Sequence, residues 1–151
     1  NQLDNRLTYF SKFPDLIASC SGPKTLSCLK GNIRFCMKYI SSWLQGHGTI
    51  ILKNKIEDLS SLEISRAQIW QWRRHKILLD NGATVDDDLL RDCLEEEYET
   101  AHRELQSTIA DEQSYITQQT YLKSACQLTL KLITTAQMPH YFSDFISNQS
   151  S

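Results

Sequence analysis

Two adjacent carboxylates, Glu57 and Asp58, are the residues of this chain whose types and position best suit chemistry. They stand where an apolar run ending at Ile56 meets an amphipathic helix that begins near Leu59. Neighbouring carboxylates repel, so one of them can hold a proton, and a partly desolvated Asp can act as a general base. We therefore predict catalytic roles for Asp58 and Glu57. The competing interpretation is that Asp58 only caps the helix, which is worth about 1 kcal/mol.

Other chemistry-bearing residue types give no recognisable site. The four histidines form no triad with a serine or cysteine, and no nucleophile elbow or phosphate-binding glycine loop is present. The five cysteines are scattered without a Cys-x-x-Cys pair, so we expect free, buried thiols in a reducing compartment. No Cys/His pair has the spacing of metal ligands, and we predict no metal site.

Composition excludes several classes of partner. The chain has 151 residues with 40% hydrophobic and 23% charged residues, which suits one globular domain, and its net charge is −2. This charge predicts no affinity for nucleic acid or an anionic membrane. No apolar run is long enough to span a bilayer. The chain opens on Asn1-Gln2 without a starting Met or targeting signal, so we expect a trimmed or excised segment and a cytoplasmic location.

The positioning elements are predicted to be helices. A stripe of apolar residues at three-to-four spacing predicts a helix from Thr25 to the stop at Gly46-x-Gly48. After the short β-like run Ile50–Leu52, a second helix extends from Leu59 to about His75. Either Asp58 or a Ser60-x-x-Glu63 capping box begins that helix.

Three more helices are predicted in the second half of the chain. Thr84 is expected to cap a third helix, on which the acidic run Glu95–Glu97 is typical of a solvated face. A fourth spans about Asp111–Ala136, and Tyr141–Ile146 forms a short last one. The fold class is all-α, a bundle of four to five helices. Residues 1–24 are expected to be an irregular arm, residues 25–146 the helical domain and residues 147–151 a polar tail.

Two segments resemble a known family. They read GNIRFCMKYISSWLQGHG and IEDLSSLEISRAQIWQWRRHK, and they resemble the C-terminal helical domain of malate synthase. The resemblance depends on the order and spacing of Gly46-x-Gly48, Glu57-Asp58, Glu63–Arg66, Gln68 and Trp70–Trp72. The chain departs from the family pattern before and after the acids, where Ile51–Asn54 replaces Pro-x-His-Asn and Ile56–Ser61 replaces Met-Glu-Asp-Ala-Ala-Thr.

The resemblance implies a plug over the mouth of a TIM barrel. In that family the barrel supplies magnesium ligands and an arginine that stabilises the enolate, while the Asp of the plug deprotonates acetyl-CoA. Asp58 stands at that position. Magnesium and acetyl-CoA are therefore implied only where a barrel is supplied elsewhere, and no cofactor is expected for this chain alone. The resemblance also makes a peroxisomal location an alternative.

Three functional hypotheses follow. The favoured one is a free-standing, repurposed domain that acts on a small, largely apolar molecule in secondary metabolism. The reaction would be an isomerisation, a dehydration or a cyclisation, and the cyclisation could be pericyclic. The site would combine Asp58 and Glu57 with substrate-binding Trp70, Trp72, Tyr39 and Arg66. The first alternative is the C-terminal part of a malate synthase with Asp58 as its base. The second alternative is a non-catalytic module that binds a partner domain or a second copy through the former barrel-facing surface.

Overall fold

The computed structural model describes residues 24–48, 50–52, 55–135, 142 and 145–146, and these residues form an all-α fold, as predicted. A two-stranded antiparallel hairpin separates the first two helices. The predicted arm before Lys24 and the polar tail lie outside the described residues. In chain order the elements are α1 Leu26–Leu44, β1 Ile50–Leu52, β2 Lys55–Glu57, α2 Leu59–Arg74, α3 Asp87–Thr108 and α4 Glu112–Thr134.

Helix α1 is central and packs against α2, α3 and α4. Thr25 caps its start by accepting the backbone N–H of Cys28 at 3.0 Å. At its end, Gly46 has φ +93°, where a left-handed residue lets the N–H groups of Gly46 and His47 return to Trp43 and Ser42. This glycine turn directs the chain into the hairpin.

A row of ion pairs joins α1 to α3. Lys30 pairs with Glu96, and Lys38 pairs with Glu104 at 3.5 Å. Between them, Arg34 binds both oxygens of Glu97 at 2.8 and 3.0 Å. Glu97 is buried, so the prediction of a fully solvated Glu95–Glu97 face is wrong for this residue. A buried carboxylate is tolerated there because the guanidinium forms two hydrogen bonds to it.

The connection between α2 and α3 differs from the prediction at Thr84. That residue forms a β-bridge with Leu78, and the N-cap of α3 is Asp86, whose side chain accepts from Leu89 N at 2.8 Å. The predicted cap at Thr84 is therefore wrong by two residues. The Val85 N–H also donates to Ile77 O at 2.9 Å, and this antiparallel pairing keeps residues 84–85 extended, ahead of the helix.

The closing segment returns to the core. Phe142, Phe145 and Ile146 are helical in the described part of that segment, and Phe142 and Phe145 are buried. The ring of Phe142 packs edge-on against Trp43, with centroids 5.2 Å apart. The last helix predicted at Tyr141–Ile146 thus agrees with the residues that are described.

Cys36 and Cys93 match the prediction of free, buried thiols, whereas Cys126 is only partly buried. Cys36, Cys93 and Cys126 are free. Cys28 is instead disulfide-bonded, so the prediction of free cysteines is wrong for it, and the other half of that bond lies outside the described residues. None of the helices within the described ranges is long and apolar enough to span a bilayer.

Candidate functional site

Asp58 lies at the junction of the hairpin and α2, where its carboxylate is exposed to solvent. Its backbone is extended, and its Oδ1 accepts the N–H of Ser60 at 2.9 Å. Asp58 is therefore the N-cap of α2, and the alternative capping box that begins at Ser60 does not form. The second oxygen, Oδ2, receives no hydrogen bond from any described residue, so it can meet a ligand while Oδ1 holds the helix.

Glu57 occupies the opposite environment from its neighbour. It is the last residue of β2, is only 4% exposed and accepts a hydrogen bond from the Ser61 hydroxyl. Successive side chains on an extended strand point to opposite sides. The pleat therefore turns Glu57 into the domain and Asp58 out to solvent, so a substrate arriving from outside meets Asp58.

Tyr39 supports the site from within α1. Its ring is 1% exposed, and its hydroxyl donates to the carbonyl oxygen of Gly48 at 2.7 Å. Burial and then the negative charge of Asp58 raise the pKa of the Tyr39 hydroxyl. The structure thus brings together three predicted site residues, Tyr39, Glu57 and Asp58.

Arg66 lies inside the domain. Its guanidinium is 2% exposed and donates to Glu63 Oε2, with Nε at 3.0 Å. The other oxygen of Glu63 accepts the backbone N–H of Phe142 at 2.7 Å. Arg66 therefore has an internal partner, and its role in substrate binding stays a prediction.

The two tryptophans lie on different faces of α2, as their spacing predicts. Trp72 belongs to the core, whereas Trp70 is partly exposed and donates from Nε1 to Thr135 O at 3.3 Å. The guanidinium of Arg74 lies 5.2 Å from the Trp70 ring centroid. Trp70 is twelve residues beyond Asp58, which is about 18 Å along a helix. The structure does not bring Trp70 to Asp58.

Two cavities lie away from the acids. One, of about 560 Å³, lies between the end of α2 and the start of α3 and is lined by Trp70, Arg74 and Lys76 among others. Another, of about 490 Å³, lies between α1, α3 and α4. Neither is lined by Asp58, Glu57 or Tyr39. Within the described ranges, no cluster of three or more His, Cys, Asp or Glu side chains could hold a metal ion.

Comparison with known proteins decides the family of this fold and site. The family model described as malate synthase, C-terminal, matches residues 24–147. That match contains helices α1 to α4, the hairpin, Glu57 and Asp58. The chain belongs to the malate synthase C-terminal family. Its all-α architecture is the one that the resemblance implied.

Individual malate synthases match much of the chain. Malate synthase A of Escherichia coli is 39% identical over 90 residues, which is 60% of this chain and 17% of that protein. The glyoxysomal malate synthase of Brassica napus is 33% identical over 130 residues, which is 84% of this chain and 22% of that protein. The bifunctional glyoxylate cycle protein of Caenorhabditis elegans is 37% identical over 100 residues, covering 66% of this chain and 10% of that protein. The matched segment thus spans a tenth to about a fifth of these relatives.

Proposed function

We propose that this domain is the C-terminal part of a malate synthase, in which Asp58 is the base for the condensation of acetyl-CoA with glyoxylate. The observation that carries the proposal is the position of Asp58. It lies at the entrance of α2 in a chain of this family, with Oδ1 bound to Ser60 N and Oδ2 without a partner among the described residues.

The geometry supports proton abstraction by Asp58. A general base must hold one oxygen within hydrogen-bond reach of the proton that it removes. The N-cap bond fixes the carboxylate in one orientation, so Oδ2 can accept a proton from the acetyl methyl group without first reorganising. The resulting carbanion, as its enolate, attacks the aldehyde carbon of glyoxylate, and hydrolysis of the thioester releases malate and CoA.

A second domain has to complete this site. Asp58 is open to water, whereas an enolate needs electrostatic stabilisation in a site from which water is excluded. The described residues provide no group suited to magnesium, so the metal ligands belong to the rest of the enzyme in this proposal.

The free-standing, repurposed enzyme that we favoured from the sequence has weaker support. That hypothesis needs a hollow beside Asp58 with tryptophan walls. Trp72 is in the core, Trp70 lies along α2 away from Asp58, and neither cavity above includes Asp58. The relatives named above are malate synthases or a glyoxylate cycle protein.

A reconstitution experiment tests the proposal. The chain replaces the matched segment of Escherichia coli malate synthase A in a fusion, and CoA release from acetyl-CoA and glyoxylate is measured with magnesium present. We expect turnover with malate as the product. A folded fusion that binds acetyl-CoA but forms no malate would contradict the proposal.

A further inference from the structure

We propose that Tyr39 is a positioning residue for the base: its hydroxyl holds the root of the hairpin at Gly48, and the hairpin holds Asp58. This inference rests on the proposed function of Asp58. It gives Tyr39 a structural role inside the domain, whereas the sequence analysis predicted that Tyr39 binds the substrate.

Tyr39 is a rigid anchor. It lies on the buried face of α1 with 1% of its surface exposed, and its ring meets Phe35 edge-on with centroids 6.0 Å apart. The hydrogen bond to Gly48 O, at 2.7 Å, therefore ties the glycine turn to the central helix of the bundle. In Tyr39→Phe the Gly48 carbonyl, which is part-buried at this contact, loses its donor, while the shape of the side chain changes little.

The hairpin transmits this anchor to Asp58. Strand β1 begins two residues after Gly48, and its first residue, Ile50, pairs with Glu57. Asp58 is the next residue, so a displacement of Gly48 reaches Asp58 across a single antiparallel pair. Each strand has only three residues, and an isolated two-stranded hairpin is marginally stable in water. External attachment is thus needed to fix its geometry.

Asp58 is held from two sides as a result. Ser60 N fixes Oδ1 from the helix, and Tyr39 fixes the strand side through Gly48. Burial and the charge of Asp58 raise the pKa of the Tyr39 hydroxyl, which favours its protonated, donating form. Both contacts are within the described residues and require no ligand.

The test compares Tyr39→Phe with Tyr115→Phe in the fusion of this chain with Escherichia coli malate synthase A. Tyr115, on α4, is a matched control because its hydroxyl also forms one hydrogen bond, at 2.9 Å to Nε2 of His102 on α3. Steady-state rates and the primary isotope effect with methyl-deuterated acetyl-CoA are measured for both. A misplacement of about 1 Å can cost up to 100-fold in rate.

For Tyr39→Phe we expect kcat to fall about 10- to 100-fold, with KM for both substrates nearly unchanged. The isotope effect should rise above that of wild type, because proton abstraction becomes more rate-limiting. Tyr115→Phe should leave both quantities at their wild-type values. Amide hydrogen exchange, followed by mass spectrometry, should be faster in the Tyr39→Phe hairpin than in the wild-type hairpin.

Unchanged kcat and isotope effect in Tyr39→Phe would overturn the positioning role. The role would also be overturned if activity fell only in proportion to the amount of folded protein, and the isotope effect of the folded fraction stayed at the wild-type value. If Tyr39→Phe does not fold, amide exchange of the wild-type protein decides: a hairpin that exchanges as fast as an unstructured peptide, while α1 stays protected, would also overturn the role. Activity that survives in Asp58→Asn would instead overturn the proposed function, so the two failures are distinguishable.

Discussion

Glu63 Oε1 accepts the backbone N–H of Phe142 at 2.7 Å, although the two residues are 79 positions apart. The other oxygen of the same carboxylate binds Arg66, and both side chains are buried. This contact fastens the closing segment to α2, the helix that Asp58 caps. Phe142 in turn packs on Trp43, one turn before the glycine turn. The Glu63–Arg66 pair therefore helps to hold the closing segment against the end of α1, next to the glycine turn.

Removing one partner of this pair should be costly. Arg66→Met leaves the Glu63 carboxylate buried without its cation, and breaking a buried pair in this way costs about 3–5 kcal/mol. Urea unfolding followed by circular dichroism measures the loss. The double variant Glu63→Gln/Arg66→Met leaves no isolated charge and should recover part of it. Equal stability of wild type and Arg66→Met would contradict the assignment of a buried pair.

Backbone strain at Lys76 can be relieved. Lys76 follows the C-cap of α2 with φ +47°, a left-handed conformation that costs a non-glycine residue about 1–2 kcal/mol. A glycine at this position would avoid that cost, but its greater conformational freedom in the unfolded chain offsets part of the stabilisation. Lys76→Gly should raise the free energy of unfolding by about 0.5–1 kcal/mol.

The control for this variant is Gln71→Gly, at an exposed position inside the same helix. It should lower stability by about 1 kcal/mol. If Lys76→Gly destabilised the domain by a similar amount, the left-handed geometry at position 76 would be wrong.

Asp87 should make stability depend on acidity. Its hydrogen bond with Arg73 lowers the pKa of Asp87 below its ordinary value of 3.8. Because this pKa is lower in the folded protein than in the unfolded chain, the ionised carboxylate stabilises the fold at pH values above the unfolded-state pKa. This stabilisation is lost as the pH falls through the folded-state pKa. The pair is about half exposed on the Asp87 side, so its contribution is about 0.2–1 kcal/mol.

The comparison of Asp87→Asn with wild type tests this relation. The variant should be less stable at pH about 6, and the difference should shrink as pH falls below the pKa of Asp87. Asp88→Asn is the control, because the Asp88 side chain is 90% exposed and contacts Arg91 only at 3.4 Å. A difference that grows on acidification would contradict the assigned direction.

The free thiols should react in a defined order. Burial raises the pKa of Cys36 to about 12 and that of Cys93 to about 11, and it also raises the pKa of the partly exposed Cys126. Alkylation requires an accessible thiolate, so iodoacetamide at pH about 8 should modify Cys126 first and Cys36 last. Peptide mass spectrometry measures the order. Early labelling of Cys36 in native protein would contradict its burial.

Helix positions were predictable from local patterns. The apolar stripe and the Thr25 and Gly46 signals predict α1 to within a residue, because these signals depend on the adjacent sequence. Thr84 and Asp86 are both good caps, and the pairing of Thr84 with Leu78 and of Val85 with Ile77 leaves Asp86 as the cap. The burial of Glu97 likewise depends on Arg34 in another helix. Such choices come from tertiary contacts that the local sequence does not contain.

The site was predictable in its location and less so in its internal arrangement. The sequence indicates acids at a helix entrance, but the opposite directions of Glu57 and Asp58 depend on a strand, Lys55–Glu57, that it does not reveal. The Glu63–Arg66 spacing is typical of an i,i+3 ion pair. It gives no sign of burial, which arises because other elements surround this part of α2.

The most direct measurement is malate formation by Asp58→Asn in the fusion of this chain with Escherichia coli malate synthase A. Asn caps a helix as well as Asp does, so the variant should fold with wild-type stability and bind acetyl-CoA. Because the amide cannot take the methyl proton, kcat should fall by about 10²–10⁴-fold. A folded Asp58→Asn enzyme that forms malate at the wild-type rate would contradict the role of Asp58 as the base.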